Sequence, residues 1–448
     1  MFHLPARLAD RDEPVKTGVI GAGLFGSNLI GQLERTPGLE ATIVADLAVE
    51  KAVDGLTAGG VSREAIEVTD SVAAMQSAIS AGRRVATTDS EGLIDADIDV
   101  VVEATGSADV AARHAYSAIM AGTHVVMATV EADTVVGPIL AQLADANDVT
   151  YSMAYGDQPA LIVELLEWAR VNGFDVIAAG KGNPYIPSFR YGTPEDIFER
   201  IGFGAEFVAS HDLNPRMYNS FYDGTKVAVE MCAVANAVGF TPDVPGMHLP
   251  TAEIPDIPNV LRPEADGGIL RQTGVVETIS SLHADGTPVE RDIGFGVFVV
   301  TTTPNQRVRG YLDQNSGTGL YCANDGAYHL FHRPYHLPGL ETGVSVAKAA
   351  LDNQPTGTPV AQHTEVVAAA KRDLEPGEEI DGGGGSTVYG RLEARDRVET
   401  EGFVPFELLP GATITRPLAR DDLVTEDDVE LSEGSFLWTL RQLQDGTV

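Results

Sequence analysis

The feature that most constrains this fold is a glycine-rich turn placed between an apolar run and a helix-forming segment. Residues 15–20 are rich in β-branched side chains, and Gly21-Ala22-Gly23-Leu24-Phe25-Gly26 follows at once. A helical segment covers 27–35, and the apolar run 41–45 ends in Asp46, twenty residues after Gly26. Such glycines let the turn close, let a pyrophosphate approach the backbone and let the helix pack on the strand. The pattern predicts a dinucleotide-binding βαβ unit, with a tight turn that binds nothing as the alternative.

Alternation of strand and helix continues after this unit. The run 98–102 enters Glu103-Ala104-Thr105-Gly106, and a helical segment at 108–121 and a strand at 124–127 follow. This order predicts an α/β fold with a doubly wound parallel sheet of the Rossmann type, in which ligands bind beyond the carboxyl ends of the strands. The predicted cofactor-binding residues are Gly21, Gly23, Leu24, Phe25, Gly26, Asp46, Glu103, Thr105, Gly106 and Thr129.

The sequence leaves the choice between NAD and NADP open. The Asp46 carboxylate could accept hydrogen bonds from the ribose hydroxyls and would repel a 2′-phosphate, which favours NAD. Lys51 is close enough in sequence to weaken that preference.

Composition changes divide the chain into three predicted domains. A dinucleotide-binding domain covers 15–155, and an α+β substrate and dimerisation domain with a returning helix at 340–351 covers 156–353. A small β-rich module covers 362–432. The proline-rich stretch 240–263 predicts a long loop or lid. The four glycines at 382–385 are typical either of a flexible linker or of a turn between strands.

Charge excludes some partners. The chain has 65 acidic and 30 basic residues, for a formal net charge of -35, and only six of the basic residues are lysines. Nucleic acid is not expected as a partner, because phosphate backbones are held by clustered Lys and Arg. An acidic, lysine-poor composition is typical of adaptation to high salt. No apolar run has the length of a membrane span, and the charged start does not have the pattern of a signal peptide, so we expect a cytoplasmic protein.

Charged groups inside an apolar helix are the first candidates for catalysis. The segment 224–238 is apolar nearly all round, yet it carries Lys226 and Glu230 at i and i+4, with Asp223 just before it. Buried charges must pair, reach a cavity or contact a ligand. A structural Lys226–Glu230 pair and an N-cap role for Asp223 are the alternatives to a catalytic role.

A second lysine, Lys181, lies between two glycines directly after the predicted strand 176–179. An ammonium there could polarise a carbonyl or bind a phosphate, and a solvated loop lysine is the alternative. We expect this lysine to have no helix partner and to form one polar cluster with Lys226 and Glu230. The predicted catalytic residues are Lys181, Lys226, Glu230, Asp223 and Asn183.

Histidines 329, 332 and 336 are spaced in a way that superficially suggests a metal site. No Cys or Asp cluster accompanies them, and Pro334 would break a helix. A polar loop near the cofactor or a substrate phosphate is the preferred interpretation. A divalent metal remains compatible with the sequence, which does not identify its ligands.

These motifs together resemble the homoserine dehydrogenase-like oxidoreductases with a C-terminal SAF domain, a group that includes the 1-deoxy-D-xylulose 5-phosphate reductoisomerase-like proteins. The matching segments are 19–26, 101–106, 155–159, 179–183, 222–226 with 230–231, 333–336, and 370–374 with Gly377. The resemblance implies a β-clip module at the C-terminal end, a homo-oligomer, and hydride transfer between NAD or NADP and a small polar substrate. That substrate is expected to be a sugar-derived hydroxy-carbonyl compound, with or without a phosphate and with or without isomerisation.

Two departures separate the chain from true homoserine dehydrogenases. Those enzymes carry an Asn-Lys pair where this chain has Thr129-Val130, and an Asp and a Lys four residues apart where this chain has Lys226 and Glu230. Homoserine dehydrogenase activity proper and a non-catalytic NAD(P)-binding sensor are the two alternatives.

Overall fold

The computed structural model describes residues 3–204, 206–208, 213–432 and 434–447. The strands are β1 (Val15–Ile20), β2 (Leu39–Ala45), β3 (Ile66–Val68), β4 (Arg84–Thr87), β5 (Val100–Glu103), β6 (His124–Met127), β7 (Tyr151–Met153), β8 (Asp175–Asn183), β9 (Thr241–Pro242), β10 (Val275–Ser280), β11 (Val297–Thr302), β12 (Tyr321–Cys322), β13 (Tyr328–Arg333), β14 (Thr364–Ala370), β15 (Val388–Ala394), β16 (Thr413–Ile414) and β17 (Val429–Glu430).

Helices whose bounds are described are α1 (Leu4–Ala9), α2 (Leu24–Arg35), α3 (Val49–Ala58), α4 (Val72–Ser80), α5 (Ser90–Ile94), α6 (Ala108–Met120), α7 (Val130–Ala146), α8 (Gln158–Val171), α9 (Ile197–Arg200), α10 (Pro215–Tyr222), α11 (Thr225–Val238), α12 (Ile257–Val260), α13 (Gln306–Gln314), α14 (Gly343–Asp352), α15 (Arg395–Glu401) and α16 (Phe436–Thr447). Within the described residues, no helix combines the length and the apolar composition needed to cross a bilayer.

The chain forms two compact units, and neither is continuous in sequence. The first consists of Met1–Leu161, Leu337–Val360 and Phe436–Val448, and the second of Ile162–His336 and Ala361–Ser435. The predicted boundaries at 155 and 353 differ from this division, because the segment 337–360 belongs to the first unit and the predicted C-terminal module belongs to the second.

A seven-stranded sheet in the order β3-β4-β2-β1-β5-β6-β7 forms the centre of the first unit, and all its neighbouring strands are parallel. The α/β architecture with a parallel Rossmann-like sheet is therefore confirmed. The order of the strands reverses between β1 and β5, which places the turns after these strands at the topological switch point where such sheets bind ligands.

Helix α7 begins at Val130, and Pro138 lies in its interior, where it removes one backbone hydrogen bond. The side chain of Gln444, from α16, contacts the backbone next to this break. Its amide oxygen accepts from the Ile139 N–H at 3.1 Å, and its NH₂ donates to the Val135 carbonyl at 3.0 Å.

The second unit contains a mixed six-stranded sheet in the order β12-β13-β11-β8-β10-β9. Strand β8 continues to Asn183, four residues beyond its predicted end, because Gly180 and Gly182 lie inside the sheet instead of ending the strand. A Cβ added to Gly180 would lie 1.7 Å from the Glu277 carbonyl oxygen, and one added to Gly182 would lie 2.2 Å from the Gly294 oxygen. Lys181 is therefore a strand residue, not the loop residue that we predicted.

Two small sheets, β14-β15 and β16-β17, follow in the C-terminal part of this unit. The predicted β-rich module is present in this coarse sense, and β14 and β15 pair over seven residues each. The glycines at 382–385 do not form a flexible linker. The Asn219 amide donates to the Gly384 and Gly385 carbonyls at 2.9 and 3.3 Å, and a Cβ on Gly384 would lie 1.9 Å from the Arg216 oxygen.

Candidate active site

The turn after β1 has the backbone geometry that a dinucleotide requires. Gly21 has a φ of +102°, and a Cβ there would lie 2.5 Å from the Ala104 carbonyl oxygen. A Cβ on Gly26 would lie 1.9 Å from the Gly21 oxygen, so this glycine lets α2 approach β1. Gly23 differs from both, because a Cβ there would meet nothing within 4 Å. The open face at Gly23 is where a ligand can approach the backbone.

Helix α2 begins at Leu24, directly after Gly23, so its first N–H groups are directed at this open face. A helix N-terminus with free N–H groups attracts phosphate. Leu24 is 77% exposed and Phe25 is half-buried. The predicted glycine-loop residues thus lie together around one surface suited to a pyrophosphate.

Asp46 lies one residue after the end of β2 and is hydrogen bonded to the glycine loop. Its carboxylate accepts from the Ala22 N–H at 2.8 Å and from the Ala48 N–H at 2.9 Å. A carboxylate has about four acceptor positions, so two such bonds leave capacity for ribose hydroxyls. The side chain is half-buried, which keeps it accessible to a ligand.

Glu103 lies at the end of β5, next to the loop that carries Thr105 and Gly106. The residue is fully buried, and its carboxylate accepts a hydrogen bond from the Thr129 hydroxyl and lies 3.4 Å from the His114 ring nitrogen. The Thr129 hydroxyl in turn accepts from the Gly106 N–H at 3.0 Å. Glu103 and Thr129 therefore hold the exposed loop that carries Thr105 and Gly106.

In the second unit, the structure pairs Lys181 with Glu230. The Lys181 ammonium on β8 donates to the Glu230 carboxylate on α11, and the two residues are 3% and 4% exposed. The expectation that Lys181 has no helix partner is wrong, because its side chain reaches the Glu230 carboxylate on α11. Lys226 lies one turn before Glu230 and is half-buried.

Asp223 and Asn183 are used by the scaffold rather than by the Lys181–Glu230 pair. The Asp223 carboxylate accepts from the Thr225 N–H at 2.8 Å and pairs with the Lys371 ammonium at 2.9 Å. The Asn183 amide donates to the Phe221 carbonyl at 3.0 Å. The alternative of Asp223 as the N-cap is wrong, because Gly224 is the N-cap of α11. Asp223 precedes the cap and connects the start of α11 to Lys371.

Sequence reasoning assigned no role to Lys371, although it lies within one of the matching segments. Its ammonium has three acceptors: the Asp223 carboxylate and the carbonyls of Gly192 and Gly385, the carbonyls at 2.7 and 2.6 Å. The scarcity of lysine in this chain was the signal that could have singled it out.

The three predicted histidines do not form a loop site. His329 and His332 belong to β13, and burial lowers the pKa of both rings. The His336 ring lies 2.9 Å from the Phe295 carbonyl oxygen. Over the described ranges, no three His, Cys, Asp or Glu side chains converge as metal ligands would.

Two family models match adjacent parts of the chain. One, described as "Homoserine dehydrogenase, NAD binding domain", matches residues 21–154, and the other, described as "Oxidoreductase DRL, catalytic domain", matches 156–342. No curated protein matches the chain. The two models together show an NAD-binding oxidoreductase.

Solved structures with similarity to the chain include a probable dehydrogenase from Thermotoga maritima, at 14% identity, a TM-score of 0.35, and coverage of 76% of this chain and 90% of the other. A putative oxidoreductase from Bacillus subtilis has 12% identity, a TM-score of 0.35 and coverage of 77% and 90%. The myo-inositol dehydrogenase of Lactobacillus casei, in complex with NAD(H) and myo-inositol, has 20% identity, a TM-score of 0.27 and coverage of 41% and 50%. Likeness of this size says nothing about the substrate.

Proposed function

We propose that this chain, an NAD(P)-dependent oxidoreductase, transfers a hydride between the nicotinamide and a carbonyl or hydroxyl carbon of a small polar substrate, with Lys181 acting on the substrate oxygen. The observation that carries the proposal is the Lys181–Glu230 pair. The Lys181 ammonium is buried and, among the described residues, has the Glu230 carboxylate as its single hydrogen-bond acceptor. An ammonium has three donors, so two remain for a ligand.

The first unit would hold the cofactor, which supplies or accepts the hydride when bound. The Gly23 backbone and the first N–H groups of α2 would bind the pyrophosphate, and the Asp46 carboxylate would bind the ribose hydroxyls. Thr105 and Gly106 would line the nicotinamide end, held in place by Glu103 and Thr129.

In the reducing direction, addition of hydride to the carbonyl carbon leaves negative charge on the carbonyl oxygen. The Lys181 ammonium would stabilise this charge by hydrogen bonding and then transfer a proton to the oxygen, which yields the alcohol. Glu230 would fix the direction of the ammonium and keep it charged before transfer. Fixed donors of this kind contribute on the order of 10² to 10³ in turnover.

A sugar-derived hydroxy-carbonyl compound is our proposed substrate class, and it rests on the resemblance of the chain to the reductoisomerase-like proteins. True homoserine dehydrogenase activity is the alternative. We also propose that the C-terminal β-rich module is a SAF-like clip and that the chain is a homo-oligomer. Light scattering on the purified protein would test the oligomeric state.

The experiment measures oxidation of NADH and NADPH with aldoses, ketoses and their phosphates, together with reduction of NAD and NADP by homoserine. We expect turnover with at least one sugar-derived carbonyl compound and none with homoserine. Dinucleotide binding without turnover on any substrate would contradict the proposal and favour a sensor.

The matched variants are Lys181→Met and Lys348→Met, the latter changing a half-buried lysine of α14. We expect Lys181→Met to lose turnover by on the order of 10² or more while it still binds the cofactor. Lys348→Met should keep wild-type turnover. Equal turnover in the two variants would overturn the role of Lys181.

A further inference from the structure

A cavity of about 350 Å³ lies within the second unit, and Asp223 is the one predicted catalytic residue in its lining. It is lined by the segment after β8, by the start of α11, by the loop before β10 and by β15. Lys181, Lys226 and Glu230 do not line it. On α11 the cavity is bordered by Gly224, Val227 and Ala228, whereas Lys226 and Glu230 lie on another face of the helix.

The first unusual group in this cavity is Arg190. Its guanidinium donates to the Tyr185 hydroxyl from Nε at 3.2 Å and from Nη2 at 2.8 Å, and its centre lies 5.5 Å from the Tyr389 ring centroid. Among the described residues, no carboxylate lies within salt-bridge distance of it, although the chain carries 65 acidic residues. A half-buried guanidinium with only a phenol as acceptor keeps a planar donor face for an oxyanion.

His248 is the second group, and the backbone around it is strained. Met247 and Leu249 have φ values of 64° and 53°, a left-handed conformation that side chains larger than glycine seldom adopt. The buried Glu277 carboxylate holds this geometry, because it accepts from the N–H groups of His248 and Leu249 at 3.0 and 3.1 Å. Strain of this kind usually accompanies a site.

The same Glu277 carboxylate lies 2.9 Å from the His248 ring Nδ1, and this contact raises the pKa of the ring. The ring Nε2 also lies 3.4 Å from the Asp243 carboxylate, so both ring nitrogens of His248 face carboxylates.

Two further charged residues line the cavity, but Arg391 pairs with Glu393 and Asp223 pairs with Lys371. Arg190 is therefore the cationic group of the lining that has no carboxylate partner among the described residues. The remaining wall of the cavity is largely apolar and includes Ile186, Leu249 and Leu282. A cationic end with an apolar wall is the usual composition of a small-molecule site.

We propose that this cavity binds a small organic anion, whose carboxylate or phosphate pairs with Arg190 while its apolar body packs on Ile186, Leu249 and Leu282. This site is separate from the proposed hydride-transfer site. Because β15 lines the cavity, the ligand would also stabilise the packing of β14 and β15 on α11.

The test titrates the full-length protein with benzoate, with phenyl phosphate and with benzamide, an uncharged analogue of benzoate. Saturating NADH is present throughout, so that the glycine loop is not available to phenyl phosphate. Binding is measured by calorimetry and by the shift in unfolding temperature. We expect at least one of the two anions to bind at least tenfold more tightly than benzamide. Whichever of benzoate and phenyl phosphate binds more tightly shows whether the site prefers a carboxylate or a phosphate.

Two variants locate the site. Arg190→Gln should weaken binding of that anion at least tenfold, whereas Arg291→Gln, which changes an exposed arginine paired with Glu253, should have no effect. Ala228→Leu keeps every charge but fills the cavity from α11, so it should also abolish binding. If Arg190→Gln does not fold, Ala228→Leu decides alone. Anion binding no tighter than that of benzamide, or unchanged binding in these variants, would overturn the proposal.

Discussion

The second unit contains two buried lysines that differ in how fully their ammonium groups are used. Lys371 is 4% exposed and donates to three acceptors, the Asp223 carboxylate and two backbone carbonyls. Lys181 is 3% exposed and has Glu230 as its acceptor. The first ammonium is completely satisfied and holds the glycine-rich turn in place. The second keeps hydrogen-bonding capacity, and this difference separates a structural charge from a charge available to a ligand.

The strongest test of this comparison replaces each lysine by methionine. We expect Lys371→Met to lose about 3 to 5 kcal/mol of unfolding free energy, because the change leaves the Asp223 carboxylate buried and unpaired. Turnover per folded molecule should remain near wild type. Urea unfolding and steady-state assays corrected for the folded fraction measure the two effects.

Lys181→Met should lose comparable stability, since Glu230 is stranded, and should also lose turnover. The double variant Lys181→Met/Glu230→Met removes the stranded charge, so it should recover most of the stability without recovering turnover. If Lys371→Met reduces turnover per folded molecule as strongly as Lys181→Met does, the comparison fails.

Two glycines of the loop after β1 differ in a similar way, because the space beside Gly26 is filled by protein and the space beside Gly23 is open. Gly26→Ala should cost roughly 1 to 3 kcal/mol of stability, because the new methyl group would overlap the Gly21 carbonyl. Gly23→Ala should fold normally and weaken dinucleotide binding about tenfold or more, because its methyl group occupies the open face. Calorimetric titration with NADH measures this loss, and wild-type affinity in Gly23→Ala would be inconsistent with the proposed cofactor position.

Asp133 on α7 tests the rule that unused hydrogen-bonding capacity marks a group available to a ligand. Its carboxylate is buried and has an unused acceptor oxygen, yet we assign it no function. One carboxylate oxygen accepts from the Tyr151 hydroxyl and the other has no partner within the described parts of the chain. Burial raises the pKa of Asp133 to about 7. The folded protein therefore retains a proton that the unfolded chain releases above its ordinary pKa near 4, and stability falls as the pH rises from about 4 to 7.

Asp133→Asn removes this pH dependence and keeps an acceptor for Tyr151. We expect the variant to be more stable than the wild type by on the order of 4 kcal/mol at pH 8, with no gain at pH 4. Unfolding curves at the two pH values measure the difference, and unchanged turnover is the control. A loss of turnover would reveal a functional role for Asp133.

The smallest expected effect concerns cofactor choice. Asp46 should make NADH bind about tenfold more tightly than NADPH, or about 1.4 kcal/mol, because its carboxylate repels a 2′-phosphate. Asp46→Asn should narrow this ratio. Tighter binding of NADPH to the wild type would contradict the assignment.

The strands, helices and glycine loop of the first unit could be predicted from the sequence, because the proposed ligand contacts of this loop are made by backbone groups. The order of strand, glycines and helix is local in the chain, so spacing alone predicts it. The polar pairs of the second unit are not local. Glu230 pairs with Lys181, which is 49 residues away in the chain, and not with Lys226 one turn away. Helix periodicity identified which residues carry buried charge but could not identify their partners.

The structural role of glycines outside the turn after β1 was also ambiguous in the sequence. We interpreted Gly180 and Gly182 as the end of a strand, although both lie inside β8, where they admit close backbone contact. The same limitation applied to Gly382–Gly385, whose order depends on Asn219 and Lys371 from other parts of the chain. A glycine permits many conformations, and only the surrounding packing selects one.

The contact between Gln444 and the break in α7 has a consequence for biosynthesis. Until residue 444 leaves the ribosome, the Ile139 N–H and the Val135 carbonyl lack the side chain that binds them in the finished protein. The first unit begins to emerge early in translation, yet it can be completed only some three hundred residues later. A nascent chain halted before α16 should therefore expose this part of α7 to chaperones and proteases.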